Sequence, residues 1–509
     1  MAQQCSTTEG CYRPGASIAG PDCSCPWIDG GNNSRCIEGG CPAPTPTLVP
    51  TPTSVPTPTI MPTPTPIEKK EKVILLPGLG GSWNYDALVR NKKVNDGDWE
   101  LMLTMFDDFN KLAQIFIDRG FVKGEDLFIW PYDWRQPIST IVGKFGDFVN
   151  QKVAGDERVT IVGHSLGGLT ARIWAQDNYL DTRIDKIVTL GSPHEGAVKS
   201  YLTWRYGKVS DKNDVGSAIL KTFIKLKQSR ERKSDVAAVR VFSPVVKDLL
   251  PTFEFLKSNN NVLPLTNKSY IRNTYLENKN QSWNLISDKL YTITGDNHDT
   301  LQYISLSGSG YEYTTNGDGT VLQISASLNN YSENLAKIYN TNHMQLIKNS
   351  TETVSSIMDG DFYVPTSGIE YIAQKPQLVF FLGSPAYLSV QCDNGPVWTS
   401  NSQGFIIEDD NGYNVCNVEV IGTGRGYYEL VMGRSDTDSD WKYYKGSIRE
   451  NQKRVYKFYP GVIGQTKILQ DQKKVVKSRT VTVGGSTTNN SSVINSNPYK
   501  VTEVYQVRY

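Results

Sequence analysis

Short apolar runs alternate with amphipathic stretches through the middle of the chain. The apolar, β-branched runs that are typical of buried strands lie at residues 72–76, 126–130, 159–162, 186–190 and 290–294. The stretches with helical spacing lie at 101–119, 138–153, 169–179 and near 346–358. Strands that alternate with helices indicate β-α-β units. The pattern therefore predicts an α/β domain with a mostly parallel central sheet over residues 68–370.

The pattern changes at about residue 375, where short strand-like runs are separated by turn residues. These runs lie at 377–382, 386–390, 404–408, 414–420, 427–432 and 454–458. Their spacing predicts a β-sandwich over residues 371–460. The tail, 461–509, combines alternating Val and Thr with a Ser/Asn-rich middle, which fits either a β-rich hairpin or partial disorder.

The first 67 residues have a different composition from the rest. Six of the eight cysteines fall within residues 1–41, in a Gly/Pro/Ser-rich segment too small for a core. This predicts a disulfide-stapled module; a zinc knuckle is the rival interpretation, although no C-x2-C pair or nearby histidine favours it. The Pro/Thr composition of residues 42–67 predicts an extended linker. Cys392 and Cys416 predict one more disulfide.

Charge and composition narrow the function classes. With 53 basic and 52 acidic residues and a net charge of +1, no electrostatic footprint for nucleic acid is expected. No apolar run reaches transmembrane length, and residues 1–5 do not resemble a signal peptide. The acidic run at 436–440 begins like a calcium loop, but Trp441 and Ser447 occupy positions that need glycine and glutamate. We therefore expect no metal and no cofactor, and cysteine usage predicts a secreted or cell-surface protein.

The most informative motif is Gly163-His-Ser-Leu-Gly167. It follows the strand-like run at 159–162 and precedes a helical stretch, which is the context of a nucleophile elbow. Glycines two positions before and after Ser165 allow the backbones of a tight strand-to-helix turn to pass closely. An incidental serine in a glycine turn is the alternative. The context favours Ser165 as a catalytic nucleophile.

A serine nucleophile needs a general base, and the chain has four histidines. His164 lies inside the elbow and cannot turn back onto Ser165. His194 lies in a loop at a strand end, where it suits a pocket wall. His343 stands just before the last predicted helix and is the predicted base. His298 is the competitor, although an exposed loop position is expected for it.

The acid and the oxyanion donors follow from loop composition. Asp318 has glycine on either side, which lets its carboxylate turn toward an imidazole, and it lies between the serine and the base in the order of an α/β-hydrolase. Asp296, at a strand end, is the runner-up, and an ordinary turn residue is the alternative for Asp318. The amides of Leu79, in the glycine-rich loop after the first strand, and of Leu166 are the predicted oxyanion donors.

An insertion at about 199–285 interrupts the α/β pattern above the carboxyl ends of the strands. Its apolar residues, with Phe223, Phe253 and Phe255 among them, predict a lid that shields an acyl groove. The alternative is an ordinary helical excursion in which both Phe253 and Phe255 are core residues.

A family resemblance rests on six motifs that occur in a fixed order. They are Leu76-Pro-Gly-Leu-Gly-Gly-Ser82, Pro131-Tyr-Asp-Trp-Arg135, Gly163-His-Ser-Leu-Gly-Gly168, Gly191-Ser-Pro-His-Glu-Gly196, Gly317-Asp-Gly-Thr-Val321 and His343. Over residues 70–365 the chain resembles the lecithin:cholesterol acyltransferase and lysosomal phospholipase family of α/β-hydrolases. The resemblance implies Ser165, Asp318 and His343 as the triad and Leu79 and Leu166 as oxyanion donors. The chain departs from the animal members in having no lid disulfide.

Together these features predict a secreted serine esterase or O-acyltransferase that acts on lipid esters, with a lipid surface as a possible partner. Substrate contacts are expected from Trp134, His194, Phe253 and Phe255. The alternative is a surface adhesion protein that uses the hydrolase fold as a scaffold. Water and an alcohol are both candidate acyl acceptors, and no partner is assigned to the N-terminal module.

Overall fold

The structure is a computed structural model. It describes residues 71–209, 215–306, 310–328, 334–365, 369–371, 376–383, 385–400, 404–409, 412–436, 441–460 and 504–506. The chain divides between residues 67 and 68, and everything described below belongs to the second unit, Glu68–Tyr509. The predicted cysteine-rich module, the Pro/Thr linker and most of the predicted tail lie outside the described residues.

The elements are numbered in chain order. The strands are β1 (Glu71–Leu76), β2 (Ser82–Trp83), β3 (Glu100–Leu101), β4 (Leu127–Ile129), β5 (Arg158–His164), β6 (Ile184–Leu190), β7 (Leu256–Ser258), β8 (Asn261–Val262), β9 (Leu290–Gly295), β10 (Thr300–Ser305), β11 (Tyr311–Thr314), β12 (Asn334–Ile338), β13 (Gln377–Gly383), β14 (Ala386–Cys392), β15 (Val397–Thr399), β16 (Phe405–Asp409), β17 (Cys416–Gly422), β18 (Gly426–Arg434), β19 (Lys442–Ile448), β20 (Lys453–Phe458) and β21 (Val504–Gln506). The α-helices are α1 (Tyr85–Leu88), α2 (Leu103–Ile117), α3 (Ile138–Lys152), α4 (Leu166–Asp177), α5 (Val198–Tyr206), α6 (Val215–Glu231), α7 (Asp235–Phe242), α8 (Val245–Asp248), α9 (Thr274–Asn280), α10 (Gln323–Ala326), α11 (Leu346–Asn349) and α12 (Thr351–Met358). None of the described helices is long and apolar enough to cross a membrane.

The central sheet has six strands in the order β12-β9-β6-β5-β1-β4, and every described pair in it is parallel. Both faces of this sheet are covered by helices, as strand β1 shows. Ile74 and Leu76 belong to the same buried cluster as α3 and α4, whereas Val73 and Leu75 belong to the cluster that holds α2 and α12. Alternate residues thus face opposite layers, which is why these strands are apolar throughout. The predicted α/β-hydrolase fold is confirmed.

The insertion between β6 and β9 is mostly helical and holds α5 to α9. It also holds the short strands β7 and β8, which join β10 and β11 in a four-stranded sheet. The sequence pattern did not predict these two strands, because strands of two or three residues show no measurable periodicity.

A pair of antiparallel sheets follows the α/β domain. One has the order β16-β13-β18-β19-β21 and the other β15-β14-β17-β20. Strands β14 and β17 place Cys392 opposite Cys416, and a disulfide joins the two cysteines as predicted. Strand β19 was not predicted, because its sequence, Lys-Tyr-Tyr-Lys-Gly-Ser-Ile, lacks a clean apolar alternation.

One sheet of the sandwich packs directly on the insertion. Phe381 of β13 lies between Phe223 of α6 and Trp83 of β2, with ring centroids 5.6 and 6.4 Å away. At the end of α6, the Arg230 Nε donates to the Glu429 Oε1 of β18 at 3.0 Å. The sandwich and the insertion therefore share one buried apolar cluster with the central sheet.

This shared cluster predicts that Phe381→Ala destabilises the α/β domain as well as the β-sandwich. Phe381 is fully buried, and truncation of a buried phenylalanine normally costs about 3–5 kcal/mol of unfolding free energy. Urea unfolding followed by tryptophan fluorescence measures this loss. The control is Tyr387→Ala, at a side chain 38% exposed on the same sandwich, where a change within about 0.5 kcal/mol is expected. A Phe381→Ala loss as small as that of the control would contradict the shared core.

Candidate active site

Ser165 lies at the turn between β5 and α4 in a strained backbone conformation, with φ 54° and ψ −123°. The flanking glycines explain how the chain tolerates this turn. A Cβ on Gly163 would lie 2.4 Å from the backbone nitrogen of Gly168, and one on Gly167 would lie 2.5 Å from the carbonyl oxygen of Leu76. Any side chain at either position would collide with backbone atoms. The turn lifts the Ser165 hydroxyl clear of the sheet, as the nucleophile elbow requires.

His343 comes from the loop before α11 and bridges Ser165 and Asp318. Its Nε2 lies 2.9 Å from the Ser165 Oγ, and its Nδ1 lies 2.7 Å from the Asp318 Oδ2. An ionised carboxylate only accepts hydrogen bonds, so Nδ1 carries the proton and Nε2 is left to accept from the serine hydroxyl. The structure thus brings together the three residues that the sequence analysis placed in a triad.

The Asp318 carboxylate is buried but well supplied with donors. Its Oδ1 accepts hydrogen bonds from the amides of Thr320 at 2.9 Å and Val321 at 2.7 Å. Burial opposes ionisation of this group, but His343 and the two amides outweigh burial and hold its pKa below the ordinary value. The group is therefore ionised at neutral pH and able to stabilise a protonated His343.

The backbone amides of Leu79 and Leu166 are the predicted oxyanion donors. Leu166 is the first residue of α4, so its N–H has no partner within the helix. The Leu79 loop packs against the nucleophile, since a Cβ on Gly78 would lie 2.8 Å from the Ser165 Cβ. Among the residues that the structure describes, neither amide has an acceptor. The oxyanion role of Leu79 and Leu166 remains a prediction with compatible geometry.

The structure adds a role for His164 that the sequence did not indicate. Its Nε2 donates to the main-chain carbonyl of His343 at 2.8 Å, and the two ring centroids are 4.7 Å apart. Burial, and secondarily the neighbouring His343, lower the pKa of His164 to about 3. This uncharged imidazole ties the loop of the base to strand β5 without repelling a protonated His343.

The two runner-up residues do not approach the serine. Asp296 is buried, and its Oδ2 forms an ion pair with the Lys337 Nζ at 2.6 Å. The expectation of an exposed loop position for His298 was wrong, because only 2% of this residue is exposed and its ring stacks on Tyr371 with centroids 4.9 Å apart. Burial lowers the pKa of His298, and its backbone amide donates to the carbonyl of Gly317 at 3.1 Å. His298 thus supports the acid loop through its backbone.

A cavity of about 90 Å³ lies over Ser165 and His343. Its apolar walls come from Leu79, from Leu220 of α6, and from Val246 and Leu249 in and after α8. Pockets that enclose drug-sized ligands have volumes of roughly 300–1,000 Å³. A cavity of this volume holds only part of a long acyl chain.

The substrate contacts expected from Trp134 and His194 are not found, because neither residue lines the cavity. Trp134 is fully buried and its Nε1 donates to the carbonyl of Ser82 at 2.9 Å. His194 is also fully buried, with its Nε2 3.0 Å from the Thr189 Oγ1. Both side chains hold loops in place.

Phe253 and Phe255 are also absent from the cavity lining. Phe255 is buried, with ring centroids 5.0 Å from Tyr201 and 5.2 Å from Tyr270. Phe253 is half-buried and packs on Phe255. The aromatic density that suggested an acyl shield is packing between the insertion and the four-stranded sheet. Within the described residues, no group of three or more His, Cys, Asp or Glu side chains is placed to hold a metal ion.

The family model for lecithin:cholesterol acyltransferase matches residues 101–358, which is about half of the chain. The matched range includes Ser165, Asp318 and His343. The chain belongs to this family.

Two relatives of known name align with part of this chain. Phosphatidylcholine-sterol acyltransferase of Oryctolagus cuniculus is 28% identical over 141 residues, which cover 26% of this chain and 29% of the relative. The Rattus norvegicus protein of the same name is 27% identical over 138 residues, which cover 25% of this chain and 28% of the relative. The chain thus aligns with less than a third of the length of either relative.

Similar solved structures include two bacterial proteins. The mature form of Bacillus licheniformis lipase BlEst2 has a TM-score of 0.30 at 15% identity, covering 60% of this chain and 96% of the lipase. Phospholipase PlaB from Legionella pneumophila has a TM-score of 0.30 at 12% identity, covering 77% of this chain and 92% of the phospholipase. Similarities at this level carry no inference about substrate.

The site geometry predicts different outcomes for the two buried aspartates. Asp318→Asn leaves the shape of the site but favours the wrong His343 tautomer, so we expect kcat on a short soluble ester to fall on the order of 10,000-fold. Asp296→Asn removes only the ion pair with Lys337 and serves as the control, with kcat expected within about tenfold of the unmodified enzyme. Melting temperatures of both variants establish that they are folded. A larger loss of kcat for Asp296→Asn than for Asp318→Asn would mean that the acid has been misassigned.

Proposed function

We propose that this protein is a serine lipid-ester hydrolase or O-acyltransferase that works through an acyl-enzyme on Ser165. The observation that carries the proposal is the continuous hydrogen-bonded path from the Ser165 hydroxyl through His343 to the buried Asp318. Membership of the lecithin:cholesterol acyltransferase family supports the same class of reaction.

The proposed reaction has two steps. The Ser165 Oγ attacks the ester carbonyl carbon while the His343 Nε2 takes the hydroxyl proton, and the ionised Asp318 stabilises the imidazolium. The amides of Leu79 and Leu166 stabilise the oxyanion until the carbon–oxygen bond to the alcohol breaks. His343 returns its proton to that alcohol as it leaves. Water or a second alcohol then attacks the acyl carbon while His343 again takes the proton. The bond between that carbon and the Ser165 Oγ breaks, and His343 gives the proton to Oγ, which restores Ser165.

A lipid ester is the proposed substrate because the walls around the serine are largely apolar. Leu220, Val246 and Leu249 come from the insertion and face the same space as Ser165. The names of the two relatives, which are phosphatidylcholine-sterol acyltransferases, support a phospholipid as acyl donor. We propose that the insertion acts as a lid, with α6 as the wall that moves.

We also propose that the protein is exported. The Cys392–Cys416 disulfide supports an oxidising compartment, since such bonds persist mainly outside the cytosol.

The alternative function, a surface adhesion protein on a hydrolase scaffold, needs no ordered series of hydrogen bonds at Ser165. The intact chain of hydrogen bonds favours the enzyme.

The nucleophile assignment is tested with Ser165→Ala. This change removes one hydroxyl, so we expect the fold to persist, covalent labelling by a fluorophosphonate to disappear, and short-ester hydrolysis to fall to well under about 1%. Ser200→Ala is the matched control, because this second serine lines the same cavity without a bond to His343. Labelling that survives in Ser165→Ala and disappears in Ser200→Ala would contradict the proposal.

The acyl acceptor is tested by competition. A phospholipid with a labelled acyl chain is incubated with the enzyme and increasing concentrations of a long-chain alcohol, and the products are separated by mass. Ester product that replaces free fatty acid identifies an acyltransferase, whereas free fatty acid at every alcohol concentration identifies a hydrolase. An enzyme that cleaves short soluble esters but releases neither product from the phospholipid would contradict the proposed lipid substrate.

A further inference from the structure

A surface formed by the insertion and the neighbouring strands β10 and β11 combines exposed and half-buried aromatic, aliphatic and cationic side chains. We name it the basic aromatic band. It comes from α5, α7 and the small sheet of β7, β10 and β11. Its members are Trp204, Arg205, Tyr206, Lys208, Arg240, Val241, Lys257, Tyr303 and Tyr311.

Three contacts between a cation and an aromatic residue lie along the band. The Arg240 guanidinium lies 5.3 Å from the ring centroid of Trp204, which links α7 to α5. The Lys208 Nζ lies 3.3 Å from the Tyr311 hydroxyl, which links the end of α5 to β11. Lys257 of β7 continues the band, with its Nζ 4.1 Å from the ring centroid of Tyr303.

The apolar members of the band are unusually exposed. Tyr206 is 47% exposed, Val241 is 55% exposed and Tyr311 is 40% exposed. Exposed apolar groups that cluster among charges are typical of surfaces that meet a membrane or another molecule. Tyrosine suits the boundary between water and lipid, because its ring is apolar and its hydroxyl is polar.

The charge of the band is positive. The nearby carboxylates of Glu312 and Asp235 form ion pairs with Lys257 and Lys225. In contrast, Arg205, Lys208 and Arg240 have no ion-pair partner in the described part of the chain, and all three are exposed. These three cations are therefore available to an anionic surface.

The band borders the candidate active site. Helix α5 ends in Arg205 and Tyr206, while its Lys199, Ser200 and Thr203 line the cavity over Ser165. Val209, which follows Lys208 directly, also lines that cavity. A flat anionic surface against the band would therefore lie beside α5 and the cavity that it lines.

We propose that the basic aromatic band docks the enzyme on an anionic lipid surface. Arg205, Lys208 and Arg240 meet the headgroup phosphates, and Tyr206, Val241 and Tyr311 enter the headgroup layer. Docking places α5 and the cavity that it lines against the lipid. The benefit to catalysis rests on the proposed lipid-ester function, but binding to the surface does not.

The test is co-sedimentation of the full chain with vesicles of phosphatidylcholine alone and of equimolar phosphatidylcholine and phosphatidylglycerol. The unmodified protein should bind the anionic vesicles more tightly, and added salt should weaken that preference. Reversal of two cations in Lys208→Glu/Arg240→Glu should reduce partitioning onto anionic vesicles by at least about 100-fold. Hydrolysis of a short soluble ester should be unchanged, because neither side chain lines the cavity.

The matched control is Arg425→Glu/Lys445→Glu, which makes the same charge change at exposed positions of the β-sandwich. It should retain vesicle binding. A second variant, Tyr206→Ser/Val241→Ser, should weaken binding at constant charge. The proposal is overturned if the unmodified protein ignores both vesicles, if the band variants bind as well as the unmodified chain, or if the control loses binding equally. Vesicle binding without any ester hydrolysis would overturn the proposed function and leave the docking surface standing.

Discussion

The hydrogen bond between Asp318 and His343 is the interaction on which the candidate active site depends. It joins two loops, 25 residues apart in sequence, beside the ends of strands β9 and β12, and both side chains are buried. Gly191 closes over it so tightly that a Cβ there would lie 2.9 Å from the Asp318 Oδ2. Removing water strengthens the bond between the carboxylate and the imidazole. Loops held by His164 and His298 keep the two partners in register.

The insertion also supplies walls of the cavity over Ser165. In α6, Leu220 lines the cavity, and Phe223, one turn further along the same face, packs against Phe381 of the sandwich. The lid movement that we propose would therefore disturb a buried apolar contact between α6 and the sandwich. The sandwich thus supports the position of α6 in the structure.

Much of the fold and the reactive centre was predictable from the sequence, because both depend on strong local signals. Parallel strands buried on both faces give continuous apolar runs, and the elbow needs glycines at fixed spacing around Ser165. The substrate contacts were not predictable. Trp134, His194, Phe253 and Phe255 have side chains that suit a pocket, but the direction in which each points is set by tertiary packing. The burial of His298 and the role of His164 likewise depend on residues distant in sequence.

The central claim is that Ser165 forms a covalent acyl-enzyme with His343 as its base. It is tested most directly by acid quenching during turnover of a short acyl ester, followed by peptide mass spectrometry. The account predicts one acyl group on the peptide that contains Ser165, accumulating in the intact enzyme and absent from His343→Ala. Steady turnover with acyl groups on a different residue, or undiminished acylation of Ser165 in His343→Ala, would contradict it.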